Sequence, residues 1–170
     1  IISEAEYLIS DQAVLVIDAL KNRDMETLAA LSHPDLGVRF SPYTFVREED
    51  LVFSGQALLK GLSDEDVHVW GLYDGSGEPI ALTFSEYFSQ FVYSRDFFAA
   101  ELVTYNEPVS QGNTINNSAA FYESSIIVEY YFSGIEPKYG GMDWRSLRLV
   151  FQQHAGEWLL VGIINDEWTI

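Results

Sequence analysis

Apolar residues at Ile9, Ala13, Val16, Ile17 and Leu20 fall on one face of a helix, with polar positions between them. Ser3 followed by Glu6 reads as a capping box ahead of that face, and Lys21 and Arg23 near its end suit the helix dipole. Asp24 is placed to cap a second, short helix carrying Met25, Leu28, Ala29 and Leu31. His33-Pro34 ends it, because proline disfavours helix in the residue before it. The stretch "GVRFSPYTFV", residues 37–46, alternates and reads as a strand broken near Pro42. Residues 47–66 mix a short apolar run, two glycines and two acidic clusters, and read as loop with one helical turn. "VHVWGLY", 67–73, is a strand, "DGSG", 74–77, a turn, and "EPIAL" a short returning strand. Thr83 and Glu86 form a second capping box, followed by Phe84, Tyr87, Phe88, Phe91 and Val92 at helical spacing.

The remainder changes period. Residues 99–107, 122–132, 145–153 and 157–168 are rich in β-branched and aromatic residues. An Asn and Gly cluster at 111–118 and the group Pro137, Gly140, Gly141 mark loops, and Ala155-Gly156 a tight hairpin. The links between these four strands are too short for crossover helices, so the strands are expected to pair antiparallel. Three helices are the available cover for one face of that sheet. The expectation is a single α+β domain over residues 1–170.

Composition narrows the function classes. Nine basic residues against 26 acidic ones give a formal net charge of −17, which argues against nucleic acid or an anionic membrane surface as partner. No apolar run approaches the ~18–20 residues that span a bilayer. The absence of cysteine removes disulfides, thiolate metal sites and cysteine nucleophiles. The chain begins at Ile1 rather than Met, which raises the expectation of a processed chain.

The order of elements, closed by "GEWLLVGIINDEW", resembles the cone of the nuclear-transport-factor-two-like (SnoaL-like) superfamily. "HPDLGVRFSPYTF", "WGLYDGSGEPIALTFSEYF" and "GMDWRSLRLVF" also look like segments of uncharacterised exported bacterial proteins of that fold. The resemblance implies three N-terminal-half helices packed on a strongly curved antiparallel sheet, with a cavity between them. It implies export or attachment to a bacterial cell surface, and it allows a homodimer through the sheet. Function does not follow from such a fold.

Within that frame the rings of residues 84–91, Phe91 among them, would line the seam between the third helix and the sheet; at helical spacing they read as core. Tyr87 stands out, since a buried hydroxyl needs a partner. Ketosteroid-isomerase-like relatives would use a carboxylate base with phenolic donors. The resemblance offers Asp166 and Tyr43 as catalytic candidates, with Tyr87, Tyr105 and Tyr130 as further hydroxyls. As ordinary structure, Asp166 ends a strand and the tyrosines are sheet aromatics. His68 shares a strand face with Trp70, and the pair could line a pocket. Arg148, if it points outward, is placed to pair with Glu129 of the preceding strand at surface-contact strength. Arg39 is the leading candidate for binding a carboxylate.

His33, His68 and His154 are separated in sequence and show no HxxxH or HxH spacing, so no metal site is expected. "DGSGE", 74–78, lacks the rest of a calcium loop. No dinucleotide or phosphate-loop fingerprint is present, and no cofactor is expected. The leading expectation is a non-catalytic domain that binds a small molecule or a protein partner. The alternatives are a small cofactor-free isomerase or dehydratase, and a structural dimerisation module.

Overall fold

The computed structural model describes residues 1–109 and 112–169. Helix α1 runs Glu4–Lys21 and buries Ile9, Ala13, Val16, Ile17 and Leu20, the face set by their spacing. Ser3 accepts a hydrogen bond from the Glu6 amide at its start. Helix α2, Met25–Ala30, is capped by Asp24, whose carboxylate accepts from the Thr27 amide and hydroxyl. Strand β1, Val38–Ser41, stops one residue before Pro42.

Residues 47–66 hold more structure than one helical turn. Strand β2 is Val52–Phe53, and helix α3 is Gly55–Gly61, capped by the Ser54 hydroxyl on the Ala57 amide. Two glycines conceal a helix that Ser54 initiates and Leu58 anchors in the core. Strands β3, Val67–Leu72, and β4, Pro79–Thr83, form a separate antiparallel ribbon.

The Thr83–Glu86 capping box is present in both directions and opens α4, Phe84–Tyr87. The helix then widens into a π turn at Phe88–Val92. Phe84, Tyr87, Phe88, Phe91 and Val92 are all buried. Strand β5, Leu102–Tyr105, is followed by the one-turn helix α5, Ser118–Phe121. Of the Asn and Gly cluster at 111–118, residue 111 lies outside the described residues. Strands β6, Ser125–Phe132, β7, Arg145–His154, and β8, Glu157–Glu167, complete the fold. Ala155 and Gly156 both take positive φ, 50° and 82°, as a two-residue hairpin requires.

The main sheet has the order β2-β1-β8-β7-β6-β5. The four C-terminal strands pair antiparallel throughout. The sheet as a whole is mixed, not purely antiparallel, because β1 lies parallel to β8 with Arg39 beside Gly162 and Phe40 beside Ile163. The long connection from β1 through the helices and ribbon permits that crossover. A register shift where Val150–Phe151 face Gly162–Leu160 bends the two longest strands. The fold is α+β, with helices packed on one face of a six-stranded mixed sheet. Among the described residues no helix is long and apolar enough to cross a membrane.

Candidate functional site

Between helices and sheet, aromatic rings pack against one another. The Trp70 and Tyr87 rings stack with centroids 3.9 Å apart, and Phe91 stacks on Tyr87 at 5.0 Å. Phe40 meets Phe53, Trp70, Phe84 and Tyr87 edge-on. Such offset and T-shaped contacts are the arrangements rings prefer when they pack. Among the described residues the rings expected to line a cavity between helices and sheet pack against one another.

Strand alternation sends the next residues to the other face. Val128 and Tyr130 of β6 point toward the helices, so Ile127 and Glu129 point away. On β7, Leu147 and Leu149 face the helices while Arg148 and Val150 do not. This outer face has a layer of its own. Val46, Tyr122, Val150, Val161 and Ile164 form a second apolar cluster, with Phe121 and Ile127 against it. Asn117 fastens the layer: its side-chain oxygen accepts from the Val46 amide at 2.7 Å, and its side-chain nitrogen donates to the Val46 carbonyl at 2.9 Å.

Beneath this layer sits a buried ionic cluster. Arg148 Nε donates to Glu129 Oε1 at 2.8 Å, Nη1 to Thr44 Oγ1 at 2.6 Å, and Nη2 to Asp166 Oδ2 at 2.8 Å. Ser146 donates to the other Glu129 oxygen at 2.7 Å. Glu129 and Arg148 are cross-strand neighbours, as their register implies. They are not the exposed pair expected from sequence, for Arg148 is 1% and Glu129 2% accessible. Thr44 and the Val109 amide, which donates to Glu129 Oε1 at 3.3 Å, reach them from the covering loops. Two carboxylates hold one guanidinium, and desolvation makes each of these contacts consequential.

Arg39 projects from β1 to the same outer face. Its Nη1 donates to the carbonyls of Arg47, Glu48 and Asp50 at 3.1, 2.7 and 3.0 Å, which ties down the 47–50 turn. Asp50 accepts from Ser41 Oγ at 2.6 Å and from the Arg47 amide at 2.9 Å. Burial pushes the Asp50 carboxyl above its ordinary range, against the pull of those hydrogen bonds.

Tyr122 reaches β8 at Gly162. A Cβ on Gly162 would stand 2.5 Å from the Tyr122 hydroxyl oxygen, so glycine is what lets the ring reach the sheet. The hydroxyl is buried and has no hydrogen-bond partner among the described residues. Burial raises its pKa, and the Arg39 charge opposes that shift. Cavities of about 300 Å³ and about 200 Å³ open on either side of this residue. The larger is lined by Asn106, Pro108, Ala119, Tyr122, Ile127 and Glu129, among others. The smaller is lined by Leu36, Arg39, Val52, Phe121, Tyr122, Gln152 and Val161.

The residues singled out from sequence do not converge. Arg39 and Asp166 belong to the outer face. Trp70, Tyr87 and Phe91 belong to the core, and Trp70 Nε1 donates to the Leu82 carbonyl at 2.9 Å. His68 packs edge-on to Trp70 and Phe53, its Nε2 3.4 Å from Asp64. Tyr43 is edge-on to Phe91 and accepts from the Asp74 amide at 3.3 Å. Tyr130 is buried on the helix side, and Tyr105 is half-buried on the edge strand. Asp166 accepts from Arg148, and the tyrosines offered as its partners, Tyr43, Tyr87, Tyr105 and Tyr130, are placed elsewhere among the described residues.

Two histidines distant in sequence do meet. His33, Asp35 and His154 bring potential ligand atoms within 4.8 Å of one another. His33 Nδ1, however, accepts from the amides of Asp35 and Leu36 at 3.1 and 3.0 Å. Those bonds place the proton on Nε2, so neither nitrogen presents a lone pair to a metal.

No protein-family model and no curated protein matches the chain. Among solved structures it is similar to an NTF2 design, Rd1NTF2_05, at 11% identity and a TM-score of 0.37, covering 96% of this chain and 99% of that one. A DUF4783 family protein from Bacteroides ovatus shows 10% identity and a TM-score of 0.31, covering 92% and 94%. An NTF2-like family member from Streptomyces avermitilis shows 13% identity and a TM-score of 0.36, covering 98% of each chain. The fold assignment rests on the strand order and helix placement described above.

Proposed function

We propose that this domain is a non-catalytic binding module whose small-molecule site lies on the outer face of the sheet. The observation that carries this reading is the cavity of about 300 Å³ that opens onto Tyr122, Ile127 and Glu129. Its size falls at the lower end of ligand pockets, and its mixed apolar and polar lining suits a compact organic ligand. The buried carboxylates beside it are committed to structure. Glu129 and Asp166 hold Arg148, and Asp50 holds Ser41 and the Arg47 amide. An acid–base enzyme needs a carboxylate poised to take a substrate proton. A binding module needs only the shape and the fixed dipoles.

The test is a small-molecule screen by thermal shift on the wild-type chain and on Ala119→Trp. Ala119 is an exposed rim residue, so an indole there fills the cavity with little disturbance to the core. Ligand at a hundredfold excess over Kd stabilises by about 2.7 kcal/mol, which is readily seen as a melting shift. At least one compound should raise the wild-type melting temperature and leave that of Ala119→Trp unmoved. A screen with no active compound, or actives that stabilise both proteins equally, sinks the reading.

A further inference from the structure

We infer that the smaller outer-face cavity is a carboxylate subsite, in which Arg39 and the Tyr122 hydroxyl together bind the acidic group of the ligand. The inference rests on the reading of the outer face as the ligand-binding face, and two separate observations carry it. The first is the state of Arg39. Its Nη1 is occupied by three backbone carbonyls, which fix the guanidinium in place. Its centre lies 5.2 Å from the Phe121 ring centroid, so the plane is also held from one side. Among the described residues, Nε and Nη2 have no hydrogen-bond partner, and Arg39 is the one charged residue of those lining the cavity. Arg39 lines the cavity, and a guanidinium fixed at one corner is preorganised for a planar two-oxygen acceptor.

The second observation is Tyr122. Its residue is 6% accessible, and its hydroxyl has no partner among the described residues. An unpaired buried hydroxyl is destabilising, and a ligand oxygen that accepts from it relieves that cost. Tyr122 lines the same cavity as Arg39, and its hydroxyl titration responds to the Arg39 charge before any other. A cation and a neutral donor on one cavity favour an anion over a neutral isostere. Leu36, Val52, Phe121 and Val161 supply apolar walls for the carbons that follow. The class of ligand is thus a small monocarboxylate with an apolar body. The net charge of −17 makes a local anion site conspicuous against the rest of the surface, and it predicts that binding strengthens as salt rises, through screening of long-range repulsion.

The probes are phenylacetate and its neutral isostere phenylacetamide, measured by titration calorimetry on the wild type, Tyr122→Phe and Arg39→Gln. Wild type should bind phenylacetate at least tenfold more tightly than the amide. Tyr122→Phe should weaken phenylacetate about tenfold, the value of one hydrogen bond to a charged group, with no loss of melting temperature. Arg39→Gln should erase the preference between the two probes. Equal binding of acid and amide to the wild type overturns the inference, as does a Tyr122→Phe protein that binds phenylacetate unchanged. A screening ligand that Ala119→Trp excludes, while Arg39→Gln and Tyr122→Phe leave it untouched, upholds the binding module and overturns the carboxylate subsite. Failure of both probes to bind the wild type overturns the subsite as well, and leaves the broader reading to the screen.

Discussion

The two faces of the main sheet are built from the same strands and solve opposite problems. Toward the helices, Phe40, Phe53, Trp70, Phe84, Tyr87 and Phe91 pack ring against ring, with polar atoms few and mostly satisfied locally. Away from the helices, the alternate residues place Glu129, Ser146, Arg148 and Asp166 under a thin layer drawn from loops and α5. The first face gains from apolar area, roughly 25 cal/mol for each Å² removed from water, and tolerates small changes of shape. The second gains little from its charges as such but loses heavily if one partner is removed. The difference teaches where a ligand can enter. An interior packed ring against ring leaves less room than a polar layer whose cover leaves cavities of about 300 and about 200 Å³.

The largest effect should come from breaking the ionic cluster. Arg148→Met leaves Glu129 and Asp166 facing each other in a buried site, and stability should fall by about 3–5 kcal/mol. Arg148→Lys keeps the charge but cannot reproduce three directed donors to Glu129, Thr44 and Asp166, so it should also destabilise, though less. Urea denaturation with unchanged m-values measures both. A loss under about 1 kcal/mol for Arg148→Met would mean the outer layer opens freely to water, and the contrast between the faces would collapse.

A middle-sized effect tests how closely the outer layer rests on the sheet. Gly162→Ala drives a methyl into the Tyr122 ring and should cost about 1–3 kcal/mol. In a Tyr122→Ala background the same methyl has open space on that side, and Val150 at 3.3 Å is the remaining close neighbour. The two substitutions should therefore couple, with an interaction energy of about 0.5–3 kcal/mol from a double-mutant cycle. Strict additivity would show that Tyr122 does not lie on β8.

How much of this was legible in the chain follows from range. Local signals were dependable. The α1 face, the Asp24 cap, the Thr83–Glu86 box and the Ala155-Gly156 turn each depend on residues within a few positions of one another. The pairing of β1 with β8 could not be seen, because it joins residues more than a hundred positions apart and the periodicity of a strand carries no partner identity. The ionic cluster left a trace that was read only in part. Glu129 interrupts "IIVEYYF" and Arg148 interrupts "SLRLVF", and a charge inside an apolar strand is a candidate for burial when something covers it. The cover itself, from Asn117, Tyr122 and Val46, has no periodic pattern to announce it. The aromatic stripe at 84–92 is core, and Trp70 and Tyr87, which the resemblance to a cavity-bearing cone placed on a pocket, stack on each other.

The smallest effect is the most discriminating between the faces, because two tyrosines carry the same defect on opposite sides. Tyr87 and Tyr122 each bury a hydroxyl with no partner among the described residues. Burial raises the pKa of both phenols, so each is neutral across the physiological range. On the helix side the ring stack does the packing, and Phe retains all of it. Tyr87→Phe should thus be neutral or stabilising by up to roughly 1 kcal/mol, since removing an unsatisfied hydroxyl removes its desolvation cost. It should leave phenylacetate binding unaltered. Tyr122→Phe should match it in stability yet differ in binding, because Tyr122 lines both outer-face cavities and Tyr87 lines neither. Denaturation and calorimetry on both variants make the comparison within one protein. If Tyr87→Phe instead destabilises by 1 kcal/mol or more, the Tyr87 hydroxyl has a hydrogen-bond partner such as water, and the helix-facing side holds a wet chamber of its own. If both variants bind alike, the outer-face cavity has no claim that the interior lacks.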